Sequence, residues 1–212
     1  MTSLSNQHRR GFSLTELAIV LSVIGALLGA IWVAAQGVSS NNRANQAAQD
    51  IIQIASNVRS TYMGANTFTD SNTDEVANGK FIAANIIPAD LVTGAATAKN
   101  SWLGNVAVIE GPTTNTPAGV AANRDFRISF CGTPADACMR IASQLANLGT
   151  NDQPIQFTTK GGAACGKGGT AVAIPVTGLP MSAAAPAASI AAACALNTTA
   201  ANSSTEFDFK IH

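Results

Sequence analysis

The chain has 212 residues and combines a low charge content with many small side chains. Twelve basic and twelve acidic residues cancel, and charged residues make up only 11% of the sequence. This balance argues against a dedicated surface for nucleic acids or anionic membranes, because both need excess positive charge. After one membrane segment is set aside, the remaining length suits one globular domain of ordinary size.

An uncharged apolar segment follows a short basic leader. Arg9 and Arg10 precede the segment, and no charged residue occurs between Leu17 and Ala35. As a helix this segment would span about 30 Å, the thickness of a bilayer hydrocarbon core. Glu16 stands at its head, although a charge in a membrane helix costs on the order of 3 kcal/mol at the centre and less near the end. The pattern predicts a membrane segment with one acid that needs a partner.

These residues resemble the N-terminal signature of type IV prepilins: a basic leader, a glycine, a first mature residue that is often Phe, and a Glu four residues later. Gly11, Phe12 and Glu16 occupy those positions here. The resemblance implies that a prepilin peptidase cuts between Gly11 and Phe12 on the cytoplasmic side and N-methylates Phe12. It also implies that Glu16 pairs with the freed amine of a neighbouring copy during assembly. An ordinary signal peptide and a plain signal anchor are the alternatives, but neither explains Glu16.

A second helical pattern continues beyond the apolar segment. Apolar residues recur at spacings of four and three, at Ala44, Ala48, Ile51, Ala55, Val58 and Tyr62. We predict one helix from about Ser13 to about Met63, apolar all round in its first half and amphipathic in its second. The predicted divisions are a leader at residues 1–11, a transmembrane or filament-core helix at 12–35, an amphipathic helix at 36–64 and a globular domain at 65–212.

The remaining sequence predicts an α+β domain in which an antiparallel sheet packs on the long helix. Predicted strands lie at residues 106–109, 126–130, 155–159, 171–176 and 206–211. Predicted helices lie near residues 80–85 and 187–196, and a third begins with Thr133 as N-cap and Pro134 as the first helical residue. Asp136 takes the reciprocal capping position of that third helix.

Four cysteines lie beyond the apolar segment, at Cys131, Cys138, Cys165 and Cys194. The positive-inside rule places them outside the cytoplasm. An even number in an exported domain predicts two disulfides, with three possible connectivities. The chain has no CxxC motif, and its histidines are His8 and His212. We therefore expect no metal site of the zinc type.

A second resemblance lies in the globular region. Residues 125–130, a short turn and residues 137–142 resemble the strand and cysteine-bearing helix of type IVb pilins. The resemblance implies a disulfide from Cys138 to Cys194 and leaves Cys131 for Cys165. The chain departs from the type IVb pattern in its shorter leader and in Phe12, where Met or Leu is commoner.

Two short motifs suggest other chemistry and are set aside. Residues 161–167 nearly match a phosphate-binding loop, but Gly168 stands where a Ser or Thr is required. Residues 70–74 begin like a calcium loop, but Glu75 stands where the turn glycine belongs. No histidine lies in the body of the domain to activate a nucleophile, so we expect neither an enzyme nor a cofactor.

The resemblance implies a structural subunit, and more specifically a major pilin, of a type IVb pilus. Its partners would be copies of itself, a prepilin peptidase and an assembly platform in the inner membrane. The chain would reside in the inner membrane with its leader cytoplasmic and would then join an extracellular filament. Pilins of this appearance serve adhesion, aggregation, motility or conjugation. The alternatives are a pseudopilin of a type II secretion system and a monomeric membrane-anchored binding module.

Overall fold

The computed structural model describes residues 13–65, 68, 73–110, 124–148, 154–161, 179–180, 187–195 and 203–211. The chain divides into two compact units, Met1–Ser40 and Asn41–His212. The elements in chain order are α1 Leu14–Thr61, β1 Thr73–Asp74, α2 Lys80–Ala83, β2 Val92–Gly94, β3 Thr97–Ala98, β4 Val106–Glu110, β5 Asp125–Cys131, α3 Ala135–Ala146, β6 Gln156–Gly161, β7 Leu179–Pro180, α4 Ala187–Cys194 and β8 Ser203–Lys210.

The first unit holds residues 14–40 of α1, which we call the apolar half of the helix. Its large apolar side chains are between 46% and 85% exposed, the extremes being Ile24 and Leu14. An 18-residue window of α1 reaches a mean hydropathy of 2.6, and none of that window is buried. By length and composition this half therefore suits a membrane crossing, in which the backbone bonds of a helix are satisfied internally.

The second unit holds residues 41–61 of α1, which we call the packed half. The side chains that share its inner face are fully or almost fully buried: Ala44, Ala47, Ala48, Ile51, Ile54, Ala55 and Val58. They reproduce the predicted stripe. The predicted packing of the long helix on an antiparallel sheet is confirmed.

The sheet has six antiparallel strands in the order β1-β4-β5-β8-β6-β7. The C-terminal strand β8 therefore lies in the middle, between β5 and β6. Strand β5 pairs along its whole length with β8, from Asp125 opposite Lys210 to Cys131 opposite Ser204. A separate two-stranded hairpin joins β2 and β3.

The two faces of the central strands carry different chemistry, as the alternation of side chains in a strand requires. Phenylalanines from β5, β6 and β8 belong to the hydrophobic core, at Phe126, Phe130, Phe157, Phe207 and Phe209. The opposite face of β5 and β8 carries polar or charged residues that are also buried, at Asp125, Arg127, Ser129, Glu206 and Asp208.

Most predicted elements are present with shifted ends, and one boundary prediction is wrong. Pro134, not Thr133, is the N-cap of α3, and no side chain caps that helix. Thr133 instead donates its hydroxyl to the backbone oxygen of Phe130 at 3.1 Å, because it continues the turn that leaves β5. The sequence did not predict β1, β2, β3 or β7, which are only two or three residues long. The strand predicted at residues 171–176 lies outside the described residues.

Candidate functional site

The head of α1 carries the one charged residue of the apolar half. Glu16 lies in the first turn, where its backbone N–H donates to the Ser13 carbonyl at 3.0 Å, and its side chain is exposed. No other charged residue occurs between Glu16 and Arg43. The predicted cleavage pair, Gly11 and Phe12, lies outside the described residues, so the processing site and the methylated terminus remain predictions.

The hydroxyl of Ser22, in the middle of the apolar half, is satisfied inside the helix. The Ser22 hydroxyl donates to the Ile19 carbonyl at 2.8 Å. A serine bonded in this way exposes no unpaired donor to hydrocarbon. The carboxylate of Glu16 differs in kind from the Ser22 hydroxyl, since a negative charge needs a cationic partner.

A disulfide holds the helical part of the second unit. Cys138 on α3 is bonded to Cys194 on α4, with their Cα atoms 5.7 Å apart and both side chains fully buried. This is the pairing that the resemblance to type IVb pilins implies. It closes a loop across a sequence separation of 56 residues. Loop-closure entropy gives such a cross-link about 4 kcal/mol of stabilisation.

Cys131, at the end of β5, is also disulfide-bonded. Its predicted partner, Cys165, lies outside the described residues, and the Cys131–Cys165 pair stays a prediction.

The packed half is attached to the sheet by polar contacts near its C-terminal end. Arg59 donates from Nε to the Lys210 carbonyl at 3.1 Å, and its guanidinium lies 5.5 Å from the centre of the Phe209 ring. One turn later the Tyr62 hydroxyl is hydrogen-bonded to the buried Glu110 carboxylate. These contacts fix the end of α1 against β4 and β8.

A buried ion pair lies on the polar face of the sheet. The Arg127 guanidinium donates to both carboxylate oxygens of Asp208, at 2.6 and 2.8 Å, and approaches Glu206 within 3.4 Å. Burial alone would lower the pKa of Arg127, but the hydrogen bonds and charge of Asp208 raise it. Burial, and next the charge of Asp208, raise the pKa of Asp125 to about 6. Neither Asp125 oxygen has a hydrogen-bond partner among the described residues.

Asp74, part of the motif that begins like a calcium loop, accepts hydrogen bonds from backbone N–H groups. Its Oδ1 accepts hydrogen bonds from the backbone N–H groups of Val76, Ala77 and Val108, at 3.0, 3.3 and 3.4 Å. This carboxylate oxygen thus satisfies backbone donors of the turn after β1 and of β4. Residues 70–72 of the motif lie outside the described residues.

A tight turn at residues 100–104 escaped the sequence reasoning. Buried Asn100 accepts from the backbone N–H groups of Trp102 and Gly104, at 3.0 and 3.1 Å, and donates to the Cys131 carbonyl at 2.7 Å. Leu103 has a positive φ of 63° and is 78% exposed. A Cβ at Gly104 would lie 1.8 Å from the Cys131 oxygen, so only glycine fits. The available signal was an Asn followed four residues later by a Gly between two strand patterns.

Two family models match the chain. The PilS model, described as PilS N terminal, matches residues 41–205. The model described as prokaryotic N-terminal methylation motif matches residues 6–32, which include Gly11, Phe12 and Glu16.

Two solved structures of pilins are similar to the chain. A type IVb pilin from Salmonella typhi is 17% identical, with 75% of this chain and 95% of that chain covered and a TM-score of 0.48. TcpA, a type IV pilin from the Vibrio cholerae El Tor biotype, is 17% identical, with 79% and 98% covered and a TM-score of 0.49. No curated protein matches the chain. Because the PilS model covers most of the sequence and the methylation motif precedes it, the chain belongs to the PilS family of type IV pilins.

Proposed function

We propose that this type IV pilin is a major subunit of a type IVb pilus and polymerises through α1 into an extracellular filament. The observation that carries the proposal is the apolar half of α1, whose exposed side chains surround no charge except Glu16 in the first turn. Such a surface needs lipid or a protein core, since water cannot solvate it favourably. A bundle of identical helices supplies that core once the subunit leaves the membrane.

Glu16 gives the bundle its register. Cleavage between Gly11 and Phe12 by a prepilin peptidase, followed by N-methylation, would leave a positively charged amine on Phe12. The carboxylate of Glu16 then pairs with the amine of a neighbouring copy, because an isolated charge in an apolar core is strongly unfavourable. Such a pair fixes alignment more than it adds net stability.

The chain divides accordingly into four functional segments. Residues 1–11 are the leader, 12–35 the transmembrane and filament-core helix, 36–64 the amphipathic part of the helix and 65–212 the globular domain. Arg9 and Arg10 keep the leader cytoplasmic, so the globular domain lies outside the inner membrane until an assembly platform extracts the subunit. The family and fold are those of structural pilins, not of enzymes.

The test compares Glu16→Ala and Glu16→Gln with Ser22→Ala in the cell that makes the filament. We expect both Glu16 variants to reach the membrane at normal levels but to give at least tenfold fewer filaments in electron micrographs of sheared surface material. Ser22→Ala, the matched control, removes a hydroxyl that is satisfied within its own helix and should assemble normally.

Chemical sequencing of the mature protein completes the test. A first residue of N-methylated Phe12 supports the proposal. A chain that begins at Met1 or near Gln36, or normal filament yield from Glu16→Ala, contradicts it. Processing at Gly11 with no filaments from the unmodified chain indicates the short piston of a pseudopilin instead.

A further inference from the structure

Gln46 and Asp90 are in contact where the packed half of α1 meets the segment at residues 86–91, and Asp50 lies one helical turn beyond Gln46. Gln46 and Asp50 are four residues apart on α1, so they project from the same side of the helix. The Gln46 amide nitrogen lies 3.4 Å from Oδ2 of Asp90. The segment that carries Asp90 is fixed on the helix, because the Asn57 amide donates to the Ile86 carbonyl at 2.8 Å and Ile87 is buried.

Asp50 is buried without a donor for one of its oxygens. Its side chain is only 6% exposed, and its Oδ2 has no hydrogen-bond partner among the described residues. Most buried carboxylate oxygens in proteins are paired, and each exception needs an explanation such as an ion or a water. Asp90, in contrast, is exposed and gives the cluster an opening to solvent.

The two carboxylates repel each other. Burial, and next the negative charge of Asp90, raise the pKa of Asp50 to about 6. A buried carboxylate oxygen without a hydrogen-bond partner is stabilised by a cation bound beside it.

We propose that Gln46, Asp50 and Asp90 form a binding site for a hard divalent cation, with Ca²⁺ as the preferred ion. Carboxylate and amide oxygens are the ligands that Ca²⁺ and Mg²⁺ prefer. Rotating the Gln46 amide, whose oxygen and nitrogen are interchangeable in shape, turns its oxygen toward the ion. Ca²⁺ is preferred because it accepts irregular sets of oxygen ligands, whereas Mg²⁺ demands near-ideal octahedral geometry and dehydrates reluctantly.

The ligand set is sparse, which fixes the expected affinity. The described residues contain no group of three or more His, Cys, Asp or Glu side chains arranged for a metal. Two carboxylates and one amide leave the other coordination positions of Ca²⁺ to water. Sites of this kind in extracellular modules have dissociation constants of about 0.1–1 mM. The proposal does not depend on the apolar half of α1, since all three residues lie in the second unit.

The experiment measures binding of ⁴⁵Ca²⁺ to the full chain in detergent micelles by equilibrium dialysis, together with the thermal unfolding midpoint. We expect about one Ca²⁺ per chain at low millimolar concentration. Calcium at ten times the dissociation constant should raise the midpoint by about 3–5 °C. Asp50→Asn and Asp90→Asn should each lose the binding and the calcium-dependent shift.

Asp136→Asn is the matched control, since it removes an exposed acid on α3 and should keep both responses. Magnesium at equal concentration controls for ionic strength and should give less than half the shift. Absence of calcium binding by the unmodified chain, or binding that survives in both site variants, overturns the proposal. The proposal is also overturned if Asp50→Asn raises the unfolding midpoint while calcium leaves the midpoint of the unmodified chain unchanged. In that case Asp50 is neutralised by a proton and not by a metal ion.

Discussion

The two halves of α1 belong to one unbroken helix but have opposite relations to water. Residues 14–40 expose their large apolar side chains, whereas residues 41–61 bury a stripe that begins at Ala44. The packed half has an apolar face and a polar face, so the rest of the same chain can cover the apolar face. The apolar half has no polar face to turn toward water, and a single copy of the chain cannot provide its environment.

The same contrast holds for the carboxylates. The second unit places Asp208 against Arg127 within its own fold, and Glu110 against Tyr62. Glu16 is the only charged residue of the apolar half. Asp208 and Glu110 thus have partners within the subunit, whereas we propose that Glu16 finds its partner only on assembly. Substitutions that act on one half and spare the other test this division.

The largest effect is expected at a glycine of the second unit. Gly104→Ala forces a Cβ to within 1.8 Å of the Cys131 carbonyl oxygen, so the turn or the end of β5 must move. We expect the second unit to lose its cooperative thermal unfolding transition in detergent. Gly29→Ala is the control, because a Cβ there meets no atom within 4 Å. An unchanged transition in Gly104→Ala would show that the close approach is not required.

The next effect concerns the disulfide between α3 and α4. Replacing both Cys138 and Cys194 with Ala removes a cross-link that contributes about 4 kcal/mol to the free energy of unfolding. Urea denaturation of the detergent-solubilised chain should show this loss. The apolar half contains no cysteine, so the double substitution should not change the amount of chain recovered in the membrane fraction. A loss below 1 kcal/mol would contradict the loop-closure account.

A pair of isoleucines compares the halves directly. Ile54 is fully buried in the packed half, and Ile54→Ala should lower the free energy of unfolding of the second unit by about 2–4 kcal/mol. Ile24 is 46% exposed in the apolar half, and Ile24→Ala should leave urea unfolding of the second unit unchanged. Equal effects of the two substitutions would refute the proposed division of labour.

The smallest effect is a pH-dependent gain in stability at Asp125. Because the pKa of this acid is raised to about 6 in the folded chain, its ionisation opposes folding above pH 6, and that cost disappears as the pH falls through 6 toward 4. Asp125→Asn should therefore raise the free energy of unfolding by about 1–2 kcal/mol at pH 7.5, which is less than the full pKa shift corresponds to because the asparagine amide must itself be buried. At pH 4 the two proteins should be nearly equal. A variant that is less stable at pH 7.5 would mean that the charge of Asp125 is needed.

Elements with strong local signals were predictable from the sequence. The buried stripe of α1 follows the apolar spacing of the packed half, and α4 follows an alanine-rich run. The start of α3 was misplaced by one residue, because Thr133 bonds back to Phe130 and the helix begins after Pro134. Strands β1 and β7 could not be predicted, since two residues have no periodicity and pair only because a longer strand lies beside them.

The candidate sites divide in the same manner. Glu16 was predictable because a charge in an uncharged run is conspicuous, and the Cys138–Cys194 pair followed from a family resemblance. The cluster of Gln46, Asp50 and Asp90 was not, because two of its members lie in helical sequence with ordinary polar spacing. Asp90 reaches them only through the packing of a segment some 40 residues later in the chain.

The sequence by itself determined the continuity of α1, its change from apolar to amphipathic, and the alternation along β5 and β8, because these depend on neighbours within one or two turns or pleats. Only the tertiary structure decided that β8 lies between β5 and β6 and that both faces of the central strands are buried. A period of two marks which residues share a face, but burial of the polar face depends on what covers it. Strand order likewise depends on pairing between segments far apart in the chain, which local sequence does not encode.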